Sequence, residues 1–193
     1  MTVEIDTAAT AIRDGECVIY PTETVYGLAG DALNHAAVER VFELKGRSHD
    51  KPISLAVPDI EAVGDYTRPT DRERDFMAEF LPGPVTVVIE RRSSVPDVLT
   101  AGRNRVGVRI PDHSIALDLL DHVAPLTATS ANRSGSGSAR RIADIDSSVR
   151  ESVPVIDGGV TAGNESTVVD VSAGVIHRRG ALADEIEAWL TEK

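Results

Sequence analysis

Four short polar segments carry the residue types best suited to chemistry, and each borders an apolar run. The first, Pro21-Thr22-Glu23-Thr24-Val25-Tyr26-Gly27-Leu28, sets two threonine hydroxyls and a phenol between a rigid proline and a flexible glycine. Such groups orient a small polar substrate through directed hydrogen bonds. The same letters also fit a turn whose threonines satisfy their own backbone. The second segment, residues 45–52, places Lys45, Arg47 and Lys51 within seven residues. It reads as an anion site, with Arg47 as a two-pronged donor and the lysines as point charges. A lysine complementing a helix C-terminus beside a solvated neighbour explains it equally well. The third, residues 127–135, offers Thr129, Ser130 and Asn132 among small neighbours that let a ligand approach the backbone, or else a flexible surface loop. The fourth runs from Gly163 through Ser166 to Asp170 and is followed by His177-Arg178-Arg179-Gly180. Hydroxyl and guanidinium groups there would hold a phosphate, though an ordinary hairpin has the same letters. The four loops suggest an anion and a small zwitterion sharing one cleft.

The elements that must position these loops alternate in type. Helical spacing covers residues 7–14, 34–44, 59–66, 71–80, 114–120 and 184–190, with a weaker helix near 142–149. Asn34 reads as the N-cap of the second and Gly46 as its stop. Runs rich in β-branched residues predict strands over 16–20, 52–57, 85–89, 106–110, 124–128, 153–156, 167–171 and 175–177. Several strands follow one another too closely for a helical crossover, so the pattern is α/β with a mixed sheet. No interdomain linker interrupts it, and residues 1–193 read as a single domain.

Composition excludes several classes. A formal charge of −11 on 193 residues opposes a surface that grips nucleic acid as a whole, so any RNA contact would have to be local. Only Lys45, Lys51 and Lys193 are lysines, and an acid-rich, lysine-poor surface suits a salt-rich cytoplasm. No signal-like h-region or membrane-length apolar run is present, so a cytoplasmic location is expected. Cys17, alone in the chain and beside Val18-Ile19-Tyr20, reads as a small buried hydrophobe rather than a nucleophile. The chain has no P-loop, no GxGxxG and no HExxH, and its five histidines lack metal-ligand spacing.

The segments PTETVYGL at 21–28, KGRSHDKP at 45–52, LPGPVT at 81–86, VGVRIP at 106–111, TSANRSG at 129–135 and ESTVVD at 165–170 resemble, in this order, the YrdC family of threonylcarbamoyl-AMP synthases. The resemblance covers nearly the whole chain. It implies a single YrdC-like domain, a twisted mixed sheet flanked by helices around a deep, locally positive cleft. It further implies a nucleotidyltransferase that joins L-threonine, bicarbonate or CO2, and ATP into threonylcarbamoyl-AMP and pyrophosphate. A tRNA threonylcarbamoyl transferase complex would use the product on the adenosine beside the anticodon. L-threonine is then expected near Thr22, Thr24, Tyr26 and Arg109. ATP is expected around Lys45, Arg47, Lys51, Thr129, Ser130, Asn132, Ser166 and Arg178, with Lys45 and Arg47 serving catalysis. Mg2+ would be held mainly through the nucleotide phosphates rather than by a protein metal site. The chain resembles the short form of the family, without its extra C-terminal domain. A proline is frequent in the family where this chain has Arg179, so either Arg178 or Arg179 is the candidate for the nucleotide. A same-fold paralogue with another acceptor, an RNA-binding module and a non-catalytic subunit are the competing readings.

Overall fold

The computed structural model describes residues 2–192. In chain order the elements are α1 (Ile5–Arg13), β1 (Val18–Tyr20), β2 (Gly27–Ala29), α2 (His35–Lys45), β3 (Ser54–Ala56), α3 (Ile60–Tyr66), α4 (Asp71–Phe80), β4 (Val85–Glu90), α5 (Asp97–Thr100), β5 (Arg105–Arg109), α6 (Ser114–Val123), β6 (Leu126–Ser130), α7 (Ser147–Arg150), β7 (Thr167–Asp170), β8 (Val175–Arg178) and α8 (Ala183–Glu192). The eight strands form one mixed sheet in the order β1-β2-β6-β3-β5-β4-β7-β8. β3 is parallel to β5 and β4 to β7, and the other neighbours are antiparallel.

Helix boundaries follow local chemistry. The Asn34 side chain accepts from the N–H groups of Ala36 and Ala37, and Gly46 ends α2 in the left-handed region at φ 56°. α4 opens with a reciprocal capping box between Thr70 and Glu73. Two expectations need correction. The strand over 153–156 shrinks to isolated bridges from Val155 to Thr2 and Ile19, because Pro154 has no N–H to give a ladder. The helix near 142–149 divides into a 3-10 turn at Ile142–Asp144 and the short α7, which Asp146 caps through Ser148 N–H. β2 and α5 were not anticipated.

Both sheet faces are covered at the β1 end, but only one is covered along its length. One core cluster joins α2, α4 and α8, through Val41, Phe42, Phe76, Met77, Ile186 and Trp189, to one face. On the other face α1 and α6 cover only the β1 end, against Val18, Ala29, Ala56 and Leu126. Beyond those two helices that second face is open. In β5 the buried Val106 and Val108 point to the covered face while Arg105, Gly107 and Arg109 alternate to the open one.

Candidate functional site

The open face is the floor of a cleft of about 810 Å3. Its middle is built from small side chains at neighbouring register positions: Gly27 opposite Ser130, Ser54 opposite Ala128, and Val88 opposite Gly107. Close packing explains two of the glycines. A Cβ on Gly107 would lie 2.4 Å from Ser54 Oγ and 2.9 Å from Thr86 Cγ2, and one on Gly27 would lie 2.7 Å from the Tyr20 ring. Arg47, Lys51, Arg103, Arg105, Arg109 and Arg178 line the walls against Asp50, Glu165 and Asp170. The cleft is thus a basic feature of an acidic chain.

One end is organised around Arg109. Its Nη2 donates to Glu23 Oε1 and, at 2.9 Å, to Thr24 Oγ1. Thr22 and Thr24 both line the cleft, but their hydroxyls differ in what they serve. Thr22 Oγ1 donates to Val25 O at 2.6 Å and accepts from the N–H groups of Thr24 and Val25, so it holds the turn together. Thr24 is the threonine that reaches the arginine. Tyr26, expected on the substrate, is instead fully buried: its phenol donates to Gly159 O at 2.9 Å and accepts from Gly158 N–H at 3.0 Å. It tethers the glycine-rich loop at 157–163.

The other station gathers Arg47, Lys51, Thr129, Ser130, Ser166 and Arg178 on the cleft wall. Arg47 Nε and Nη2 donate to the carbonyls of Lys51 and Pro52, which fixes the guanidinium over the loop that also carries Lys51. Burial, and then the charge of Arg178, hold the Arg47 pKa below its ordinary value. Two guanidiniums kept close enough to repel invite a polyanion between them. Arg178 Nε donates to Ser166 O and Nη2 to Ser166 Oγ, and Ser166 Oγ shares a hydrogen bond with Thr86 Oγ1 at 3.1 Å. Arg179 turns outward to Asp184 and Glu187 on α8. Of the two arginines, Arg178 belongs to the cleft.

Lys45 and Asn132 shape this station from beneath and do not line the wall. Lys45 is 2% exposed, and its ammonium donates to the carbonyls of Ser130 and Asn132. Asn132 Nδ2 donates to the carbonyls of Arg133 and Ser136, while its Oδ1 accepts from Ser130 Oγ. Ser134 N–H caps the Lys45 carbonyl at 2.8 Å, so the loop after β6 is fastened to the end of α2. Burial lowers the Lys45 pKa to about 8, with the charge of Arg47 adding to the effect.

Residue type and spacing did not single out Glu23, Arg105 or Thr86. Arg105 Nη2 donates to Glu73 Oε1 at 2.9 Å and Asp170 Oδ1 at 3.0 Å, an ion-pair network at the cleft edge that only the tertiary fold assembles. Burial pushes the Cys17 thiol up to about 12, in keeping with a packing role. Among the described residues no cluster of three or more His, Cys, Asp or Glu is placed to hold a metal ion, and no helix is long and apolar enough to cross a membrane.

The chain is similar to known proteins over nearly all of this fold. It is 39% identical over 98% of its length to a threonylcarbamoyl-AMP synthase of Pyrococcus abyssi, and 36% identical over 96% to that of Homo sapiens. It spans 58% of the first relative and 70% of the second. The crystal structure of P. abyssi Sua5 complexed with L-threonine superimposes with a TM-score of 0.88 at 39% identity, covering 97% of this chain and 58% of that one. The Sua5/YciO/YrdC family model, described as "Telomere recombination", matches residues 10–180. With that match across the strands and loops that build the cleft, the chain belongs to the Sua5/YciO/YrdC family.

Proposed function

We propose that this chain, acting as one domain over residues 1–193, is an L-threonylcarbamoyladenylate synthase that makes threonylcarbamoyl-AMP and pyrophosphate from L-threonine, bicarbonate or CO2, and ATP. The observation that carries the reading is a pair of separate arginine groupings on one cleft, Arg109 with Thr24 and Arg47 with Arg178 and Ser166, each suited to an anion. A threonine complex of a 39%-identical relative supports the assignment of an amino acid to such a cleft.

In this reading Arg109 takes the threonine carboxylate. Arg47, Lys51, Thr129, Ser130, Ser166 and Arg178 take the nucleotide. The free threonine amine attacks CO2 with release of a proton to solvent, or bicarbonate with release of water; the carbamate oxygen then attacks the α-phosphorus as the bond to the pyrophosphate leaving group breaks. No covalent enzyme intermediate is needed: catalysis comes from positioning and from stabilising charge. Lys45 and Asn132 act through the 130–136 loop, holding Ser130 in place. The donor set fits Mg2+ carried on the nucleotide phosphates, since three carboxylates dispersed among six cations make no cage for it. Such an ion would supply neutralisation of the triphosphate charge. The product would pass to a tRNA threonylcarbamoyl transferase complex in the cytoplasm, with at most a weak local tRNA contact.

The test is pyrophosphate release from ATP in high-salt buffer with Mg2+ and bicarbonate, with and without L-threonine, using L-serine and L-valine as controls. Threonine-dependent release is expected. No release with any amino acid, from folded protein, would overturn the proposal.

A further inference from the structure

The two stations differ in net charge, and Glu23 widens the difference. Around Arg47 and Arg178, Lys45 and Lys51 add two further cations, while Glu165 and Asp50 are the acids nearby. The balance there is positive. At the other station Glu23 Oε1 pairs with Arg109 Nη2, and both side chains are largely buried, at 17% and 11% exposed. One carboxylate therefore cancels one guanidinium in surroundings poor in water. The neighbouring Tyr20 phenol reports the same setting: burial pushes it up to about 12, with Arg109 and Glu23 acting on it in opposite senses.

The hydrogen bonds leave this pair incomplete. Nη2 of Arg109 is committed to Glu23 and Thr24, and Nε is buried without a partner. Among the described residues Nη1 has no protein acceptor, although Arg109 is on the cleft wall. Glu23 Oε2 is likewise buried and unpartnered, and so is Nδ1 of His113, which feels the Glu23 charge. Oxygens and nitrogens in such surroundings interact with a ligand's charge far more strongly than they would in water.

We propose that Glu23 is a specificity-determining residue: by neutralising Arg109 it reserves that station for the zwitterionic amino acid and sends phosphate groups to the Arg47–Arg178 station. A guanidinium whose charge is already matched still offers directed N–H donors to a monoanionic carboxylate. It gives a di- or trianionic phosphate too little countercharge to be desolvated. Without the Glu23 charge the two stations would compete for the same anion, and ATP or pyrophosphate would occupy the amino-acid end. The inference deepens the synthase reading and rests on it for the identity of the zwitterion.

The experiment is calorimetric titration of the wild-type chain and of Glu23→Gln with inorganic pyrophosphate alone and, separately, with L-threonine. The wild type is expected to take one pyrophosphate per chain. Glu23→Gln is expected to take two, and to make pyrophosphate competitive with L-threonine. Glu23→Asp, which keeps the charge, should restore a stoichiometry of one. Two pyrophosphates per wild-type chain would overturn the proposal even if Glu23→Gln did not fold. An unchanged stoichiometry in a folded Glu23→Gln would do the same. The pyrophosphate arm needs no turnover, so it succeeds or fails independently of threonine-dependent activity.

Discussion

Lys45 Nζ donates to the main-chain oxygen of Asn132 at 2.8 Å across 87 residues of sequence, joining the end of α2 to the loop that follows β6. Each residue orders the same short segment from a different side. Their losses should not add: in a double-mutant cycle with Lys45→Ala and Asn132→Ala, the coupling energy for ATP binding is expected at about 1 kcal/mol or more. Independent, additive losses measured by calorimetry would show that the two residues touch the nucleotide separately.

Lys45 also sets a pH limit. Its folded pKa of about 8 lies below the ordinary 10.5, so its charge is complete well below pH 8 and is lost as the pH rises through that value. The alkaline limb of activity should therefore centre near pH 8, and Lys45→Arg, which stays charged, should move it upward if the variant retains activity. Stability has the opposite slope. Between about pH 8 and 10.5 the unfolded chain binds more protons at this lysine than the folded one, so the Lys45 contribution becomes more favourable with rising pH. The denaturant midpoint of the wild type should rise relative to that of Lys45→Met across that window.

Adjacent arginines give a sharp contrast. Arg178 holds Ser166 at the cleft, whereas Arg179 pairs with exposed acids of α8. Arg178→Ala should weaken ATP binding by about 10- to 100-fold, the effect of losing a charge-assisted contact. Arg179→Ala should leave binding unchanged and stability within about 0.5 kcal/mol. Equal effects in a fluorescence titration with a nucleotide analogue would contradict the assignment.

Gly107 tests the floor. An added methyl would meet Ser54 and the stiff Thr86 side chain, so Gly107→Ala should cost about 1–3 kcal/mol in urea denaturation and weaken both substrates. Gly64, whose Cβ would meet nothing within 4 Å, is the control: Gly64→Ala, within α3, should be neutral or slightly stabilising.

Much of this was legible from local signals. Asn34 and Gly46 bracket α2 as their residue types dictate, and α4 matches its expected bounds at Asp71 and Phe80. The strand at Gly27–Ala29 was obscured because it begins on a glycine inside a polar segment, where neither alternation nor β-branched residues mark it. The loops that carry the cleft were visible as polar segments, but the function of each side chain was not. Thr22 and Thr24 are two residues apart, and only the approach of Arg109 from β5 separates the turn-former from the threonine that meets the cleft arginine. Tyr26 stands in the same segment yet faces inward, toward a loop more than 130 residues later. Glu23 acquires its meaning wholly from a partner 86 positions away.

The strict alternation along β5 constrains how such a cleft can change. Inserting or deleting one residue between Arg105 and Arg109 would reverse the facing of the strand on one side of the change, turning a buried valine toward the cleft and a guanidinium toward the apolar layer beneath. The floor therefore admits substitution but not changes in length. Diversity in what related chains accept should accumulate in the connecting segments at 21–26, 46–52 and 131–141, which can lengthen or shorten without reversing the orientation of any strand.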